Sequence, residues 1–476
     1  MMRIRKSLAI AAVAALPWWA GAFSLLGPYE AWQTQALGFQ LPAPASDLGG
    51  PQRIESGGYR WQFSTITYGF TYEFQRYFGT NGMAAVDRAM EIFNSLPRFS
   101  LMSPDLREYP EMGMVKVNSR AQADGIFDVK SLAMAMVLEQ LGLADPVRFT
   151  WVIHHVNPDA AQVGYTNYFV RNMNYDPVTL IQTNRVNGVN YAYRTFWRPR
   201  LDGWPYAPFA DAFEYANNER PDPSLFLNLP TDLYAVTPYN QDRLPIASQF
   251  LPAGYYSRGL TRDDVGGLRY LYTRDNYAFE TLPAGVTAAT NVVGGGGGYG
   301  IYFGTNFTGN TNYTFITATN VLITDGLRAG VDQIRFVRVN YDSIMGVVWP
   351  AYTNVYTDIV VSNRTVVNQQ VQRVVDTTPD IVFDAQELPV GPTGIPIPLT
   401  RTVGFGAQAP SNRVITPPVR LTYTTLYPIF VNDNYLGGQN RLNVWGSFDG
   451  STNAPVIYGF GGASIREYER SVVIGQ

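Results

Sequence analysis

Asp128-Val129-Lys130-Ser131-Leu132-Ala133-Met134-Ala135-Met136-Val137-Leu138-Glu139-Gln140-Leu141-Gly142-Leu143-Ala144-Asp145 is the stretch on which the fold of this chain turns. Asp128 suits an N-cap, because its carboxylate accepts from the free amides of a first helical turn. Leu132 to Leu138 is apolar on every side, which places the helix inside a domain rather than on its surface. Gly142 supplies the stop, since the residue just past a helix end often takes a left-handed conformation that costs glycine least. The segment predicts a buried helix closed by a glycine turn, with Asp145 just beyond it.

Working outward, Tyr59-Arg60-Trp61-Gln62-Phe63 and Thr65-Ile66-Thr67-Tyr68-Gly69-Phe70 alternate as strands do. Asn81 to Leu96 sets Ala85, Ala89, Ile92, Phe93 and Leu96 at helical spacing, and Pro97 ends the pattern. From Phe149 to Leu251 the chain turns aromatic and rich in Asn and Pro, which reads as a long, loop-dominated insertion with short strands. Thr261-Arg262-Asp263-Asp264 then opens a last helix as a capping box, with Val265, Leu268, Leu271 and Tyr272 as its buried stripe. Asp263 and Asp264 in that first turn suit the helix dipole, so capping accounts for them better than paired acid–base chemistry.

Beyond Asn276 the composition shifts. Gly294 to Gly298 is an unbroken glycine run without the Lys-Ser/Thr that follows a phosphate-binding loop, so residues 281–298 read as a linker. Tyr313–Ala318, Ile334–Val339, Arg420–Thr424 and Arg441–Trp445 follow as strand candidates, and Asp358–Val361 reads as a strand buried on both faces. Residues 299–476 are therefore expected to form an all-β, sandwich-like domain.

Charged residues make up only 15% of the 476, against a usual value of about 25%, so the exposed surface is largely Asn, Thr, Gln, Ser and Tyr. A formal net charge of -3 gives no ground for a nucleic-acid partner. The N-terminus decides more. Met1-Met2-Arg3-Ile4-Arg5-Lys6 is a basic start, Ser7 to Trp19 a short apolar core, and Ala20-Gly21-Ala22 the small residues an export peptidase reads. Residues 1–22 are expected to be a signal peptide cut before Phe23, followed by an extended, Gly/Pro/Ala-rich segment over 23–58. No other stretch approaches the roughly 18 apolar residues of a membrane span, so no transmembrane segment is expected in the mature chain. With no cysteine, disulfides and thiolate metal sites are excluded. An exported protein, periplasmic or at the cell surface, is the expectation.

Three segments together resemble the matrixin-type metzincins. They are Trp61 to Phe70 with the helix from Asn81, the apolar helix ending Leu141-Gly142-Leu143, and Gly259-Leu260-Thr261-Arg262-Asp263-Asp264-Val265-Gly266-Gly267-Leu268-Arg269-Tyr270-Leu271-Tyr272, the most specific of the three. The whole chain also resembles a group of exported bacterial proteins of the Verrucomicrobia type. The resemblance implies an α+β, metzincin-like domain over 59–280, with the insertion at about 149–251. In that family three histidines bind zinc and a glutamate activates its water. Carried over residue by residue, the first histidine's place holds Ala135, the glutamate's Met136, the second histidine's Glu139 and the third's Asp145. Catalytic zinc takes about three protein ligands, mostly imidazole, plus an open position. Two carboxylates do not supply that set, so the resemblance implies the scaffold without its zinc motif, and no cofactor.

Other chemistry is weighed against plainer accounts. His154 and His155, the only histidines, follow a strand pattern in which neighbours point to opposite faces, so they are not read as a chelating pair. No Gly-x-Ser-x-Gly elbow is present for a serine nucleophile. Trp197, Trp204, Tyr206 and Trp349 are candidate ligand-facing aromatics for stacking on sugar rings, although aromatic residues more often fill cores. The reading is an exported, non-catalytic structural or binding protein on a pseudo-metalloprotease scaffold. Its implied partner is an extracellular protein, a polysaccharide or further copies of the chain. The alternative is a secreted hydrolase of polysaccharide or peptide, which needs two suitably spaced carboxylates.

Overall fold

The computed structural model describes residues 21–30, 32–33, 49–158, 166–195, 210–214, 241–248, 251–281, 286–288, 325–340, 349–362, 364–375, 378–386, 400–404, 413–415, 417–425, 444–450 and 452–458. The fold is mixed and mostly sheet, with four α-helices among the described residues: α1 (Tyr72–Asn94), α2 (Ser119–Ala123), α3 (Val129–Gln140) and α4 (Arg262–Tyr272). No helix among these residues is long and apolar enough to cross a membrane.

Helix α1 starts nine residues before the periodicity predicts. Thr71 caps it by accepting from the Phe74 amide, and Gly79 then breaks it with φ +63° and ψ -165°. The break explains the short prediction: Tyr72–Phe78 is a separate piece of about two turns, and although the buried positions run on as Phe74, Phe78, Gly82 and Ala85, Gly79 and Gly82 hide that continuity in the sequence. Helix α3 matches its prediction, with the Asp128 carboxylate accepting from Ser131 N. Gly142 is required twice over. Its φ is +94°, and a Cβ there would fall 1.9 Å from the Tyr59 carbonyl oxygen. Helix α4 carries the predicted capping box between Thr261 and Asp264.

The strand Thr65–Phe70 lies second in a five-stranded sheet, ordered Arg335–Arg338, Thr65–Phe70, Ile381–Gln386, Val419–Thr424, Thr400–Gly404. Both of its neighbours run parallel to it and come from beyond residue 299. Ile126–Asp128, just before α3, pairs with Val444–Ser447 in the same way. Sheet pairing thus joins the two sides of the division expected at 281–298, and one hydrophobic core runs from Ala22 to Tyr458. Part of the expected linker is itself strand, since Val286–Ala288 pairs with Thr365–Val375. Gly294–Gly298 and the candidate strand Tyr313–Ala318 lie outside the described residues.

A second five-stranded sheet is antiparallel throughout, ordered Ala278–Thr281, Asp325–Arg328, Tyr352–Ser362, Thr365–Val375, Val286–Ala288. Within Tyr352–Ser362, Asp358 and Val360 are buried while Ile359 and Val361 are partly exposed. The strand read as buried on both faces is therefore one-sided, as antiparallel strands commonly are.

The segment over 23–58, expected to be extended, docks as a strand. Phe23–Gly27 is buried at every position. It pairs with Gly50–Gln52, with Leu143–Ala144 beyond the α3 glycine turn, and with Asn174–Tyr175. The described parts of the insertion are more regular than predicted: Trp151–Pro158 pairs with Thr166–Asn172, and Val189–Thr195 with Ala210–Glu214. Asn157, Pro158, Asn167 and Asn172 sit within the paired strands rather than replacing them.

Candidate functional site

Helix α3 packs against α1 and lies beside Leu143–Ala144 and Tyr255–Ser257. Ala135, Met136 and Glu139 are only 4%, 2% and 6% exposed, so these positions face packed protein. Aromatic side chains secure both ends of the helix. Tyr423 Oη donates to Val129 O at 3.1 Å, Trp61 Nε1 to Gln140 O at 2.7 Å, and Tyr272 Oη to Leu141 O at 2.9 Å. The last two satisfy carbonyls that a helix C-terminus leaves without internal partners. Burial pushes the Tyr272 phenol far above its ordinary range, which keeps it a donor.

Asp145 does not share a site with these residues. Its Oδ1 accepts from Val147 N (2.9 Å), Arg148 N (3.1 Å) and Ser248 Oγ (2.8 Å), closing a turn. Burial raises its pKa, and those hydrogen bonds oppose the shift. Among the described residues no group of three or more His, Cys, Asp and Glu side chains is placed to hold a metal ion.

The histidine strand departs from strict alternation, because its pairing register shifts between Ile153 and His155. The alternation argument therefore does not apply at that point. The His154 ring lies 4.6 Å from that of Trp32. Of the candidate aromatics, Trp197, Trp204 and Tyr206 lie outside the described residues. Trp349 is half-buried, and its Nε1 packs close to Gly69, where an added Cβ would meet it at 2.9 Å. An open surface hollow is lined by Pro28, Tyr29, Glu30, Gln52, Arg53, Ser56 and Arg413, so among the described residues it holds one carboxylate.

The start of α4 holds the chemistry that the sequence reading missed. Asp264 is fully engaged: Oδ2 accepts from Thr261 N (2.8 Å), Thr261 Oγ1 (2.6 Å) and Ile246 N (3.0 Å), and Oδ1 from Ala247 N (2.9 Å). Burial still raises its pKa. Asp263, 1% exposed, accepts from Asn187 N at 2.5 Å through Oδ2, while its Oδ1 has no hydrogen bond. Burial drives the Asp263 carboxyl well above the usual carboxylate range; the Ala22 and Asn187 amides oppose this, and Asp264 and Glu111 add to it. The available signal was numerical, since a capping box uses one acid and this first turn carries two.

Comparison with known proteins adds no relative: no family model, no curated protein and no solved structure gives a significant match to this chain.

Proposed function

We propose that this chain is an exported, non-catalytic structural or binding protein built on a metzincin-like scaffold that has lost its metal chemistry. The observation that carries the reading is the burial of Ala135, Met136 and Glu139 in α3. An active-site helix must present its ligands to a cleft open to substrate, whereas these positions fill a core, and none of the three is an imidazole. Asp145 is committed to its own turn. The hydrolase alternative draws no support from the surface hollow, whose described lining has Glu30 as its one carboxylate.

A binding or assembly role is further supported by one face of the antiparallel sheet. Phe279, Leu327, Val361 and Val366 stand in register across four strands, and Phe279 and Val366 are 68% and 55% exposed. Contiguous apolar surface of this kind commonly marks an interaction site.

The test is to measure the metal content of purified Phe23–Gln476 by mass spectrometry and to assay the same sample on a general peptide substrate with and without chelator. The expected result is no stoichiometric metal and no turnover. Stoichiometric zinc with chelator-sensitive hydrolysis would sink the proposal.

A further inference from the structure

The open hollow beside the Phe23–Gly27 strand has a volume of about 510 Å³, within the range of small-molecule sites. Three separate parts of the chain build it, and each is fixed by its own hydrogen bonds. Gln52 Nε2 donates to the Pro28 carbonyl at 2.6 Å, which ties the segment after the first strand to its neighbour. Arg53–Gly57 is a turn closed by Ser56 N to Arg53 O and by Gly57 N to Ile54 O, each at 3.1 Å. Arg413 arrives from far along the chain, held where the Arg60 amide donates to its carbonyl at 3.1 Å. Gly57 has φ +66°, and a Cβ there would meet Arg413 Nη1 at 3.2 Å, so the guanidinium lies against the bare face of the turn.

Arg53 and Arg413 are both half-buried, and among the described residues neither makes an ion pair. The buried Arg60, Arg328 and Arg373 each have a carboxylate partner. Glu30, the carboxylate of the hollow, is engaged elsewhere. Its Oε2 accepts from Trp32 Nε1 at 2.5 Å, and its amide donates to Gln33 Oε1 at 2.8 Å. Gln33 is itself buried and donates to the Pro51 carbonyl at 2.8 Å. The acid is therefore held in place without either guanidinium.

Two arginines and one glutamate leave the described lining with a net positive charge, although the whole chain carries a formal net charge of -3. Guanidinium groups present forked donors that match the two oxygens of a carboxylate, sulfate or phosphate. Partial burial strengthens that attraction relative to open water. Glu30 narrows the choice. A compact ion that is anionic on every side meets its carboxylate, whereas a ligand with one anionic group and several hydroxyls satisfies the arginines and the acid together. Tyr29 and Ser56 add hydroxyls of their own to the same wall. The hollow is open, so a longer chain can run on past it.

We propose, on the binding role stated above, that this hollow holds one acidic residue of a saccharide chain. Arg53 and Arg413 take its carboxylate or sulfate group, and Glu30 accepts hydrogen bonds from its hydroxyls. The saccharide is held and released intact.

The test is calorimetric titration of purified Phe23–Gln476 with polygalacturonate, dextran sulfate and neutral dextran of matched length. The expected result is binding of an anionic polymer and none of dextran. Polygalacturonate alone would assign the site to carboxylate, and dextran sulfate alone to sulfate. Arg53→Gln and Arg413→Gln should each weaken binding about 10-fold or more, because each removes one charge-assisted fork. Arg98→Gln, which removes an exposed arginine outside the lining, should leave it unchanged. Equal weakening by all three would show unspecific attraction and overturn the site. The wild-type protein gives a second reading that does not depend on the variants folding. Saturating polymer should protect Arg53 and Arg413 from phenylglyoxal, read by peptide mass, and unchanged labelling of both would refute the proposal. Failure of both anionic polymers to bind would also refute it, and would leave the non-catalytic role standing. Shortening of the bound polymer with time would overturn that role while leaving the binding site in place.

Discussion

At the scale of single residues, the local signals were legible because both partners lie within one helical turn. Asp128 with Ser131, and Thr261 with Asp264, are three residues apart, and the cap chemistry that predicts them is the chemistry found. Gly142 was legible as a helix stop, but the Tyr59 carbonyl that also excludes a side chain lies 83 positions upstream and leaves no local trace. Gly142→Ala combines a left-handed strain of about 1–3 kcal/mol with that clash, so urea unfolding should show a loss of about 3 kcal/mol or more. Asp128 gives a contrasting case. Burial raises its pKa while Ser131 N donates to it at 2.9 Å, so what the cap needs is an acceptor rather than a charge. Asp128→Asn should stay within about 0.5 kcal/mol of the parent at pH 7, whereas Asp128→Ala should lose about 1–2 kcal/mol. Equal losses in urea titrations of the two variants would mean that the ionised carboxylate itself is required. Asp263 lies in the first helical turn, as its position predicts, but its neighbours Gly21 and Asn187 are remote in sequence and left no local trace.

At the scale of elements, periodicity found three of the four described helices and strands such as Thr65–Phe70, Arg335–Arg338 and Val419–Thr424, but not their neighbours, because a strand's own pattern reports its faces and not its edges. The junction between the two five-stranded sheets shows what settles the edges. Asp380, buried just before Ile381–Gln386, accepts from Thr67 N at 2.7 Å and Thr67 Oγ1 at 2.8 Å in the neighbouring strand. It is also bridged by both terminal nitrogens of Arg373, which comes from the other sheet and lies 3.7 Å over the Phe63 ring. Charge, hydrogen bonds and ring thus converge on one point and fix the register of strands more than 300 residues apart. Asp380→Ala would leave the Arg373 guanidinium buried without its counter-ion, a loss of about 3–5 kcal/mol. Adding Arg373→Leu should cost less than the sum of the single changes, because the second substitution removes the stranded charge. A double-mutant cycle by chemical denaturation measures this, and strict additivity would show that the two residues act independently.

At the scale of the whole molecule, composition suggested a division that the sheet pairing crosses. A glycine run and a change from helical to alternating pattern are real features of the sequence, but neither records which strands pair. Thr65–Phe70 has Arg335–Arg338 on one side and Ile381–Gln386 on the other, so the first part of the chain does not complete its own sheet. Arg60 extends the same dependence. Its buried guanidinium bonds to Glu280 at 2.5 Å, to the Leu271 and Asn276 carbonyls, and to the Arg328 carbonyl of the second sheet at 2.8 Å. A fragment ending at Thr281 would expose both edges of Thr65–Phe70 and uncover Ile66 and Phe70, which are 0% and 2% exposed in the whole chain. Exposed apolar edges of that kind template aggregation rather than a native fold. The Phe23–Thr281 fragment alone should therefore give no cooperative thermal transition, and mixing it with residues 282–476 should restore one. By the same argument, a protease site inserted into Gly294–Gly298 should leave two pieces that co-elute in buffer and separate only in denaturant. A fragment that melts cooperatively by itself would instead show that the first part of the chain folds autonomously, with the later strands added to a finished core.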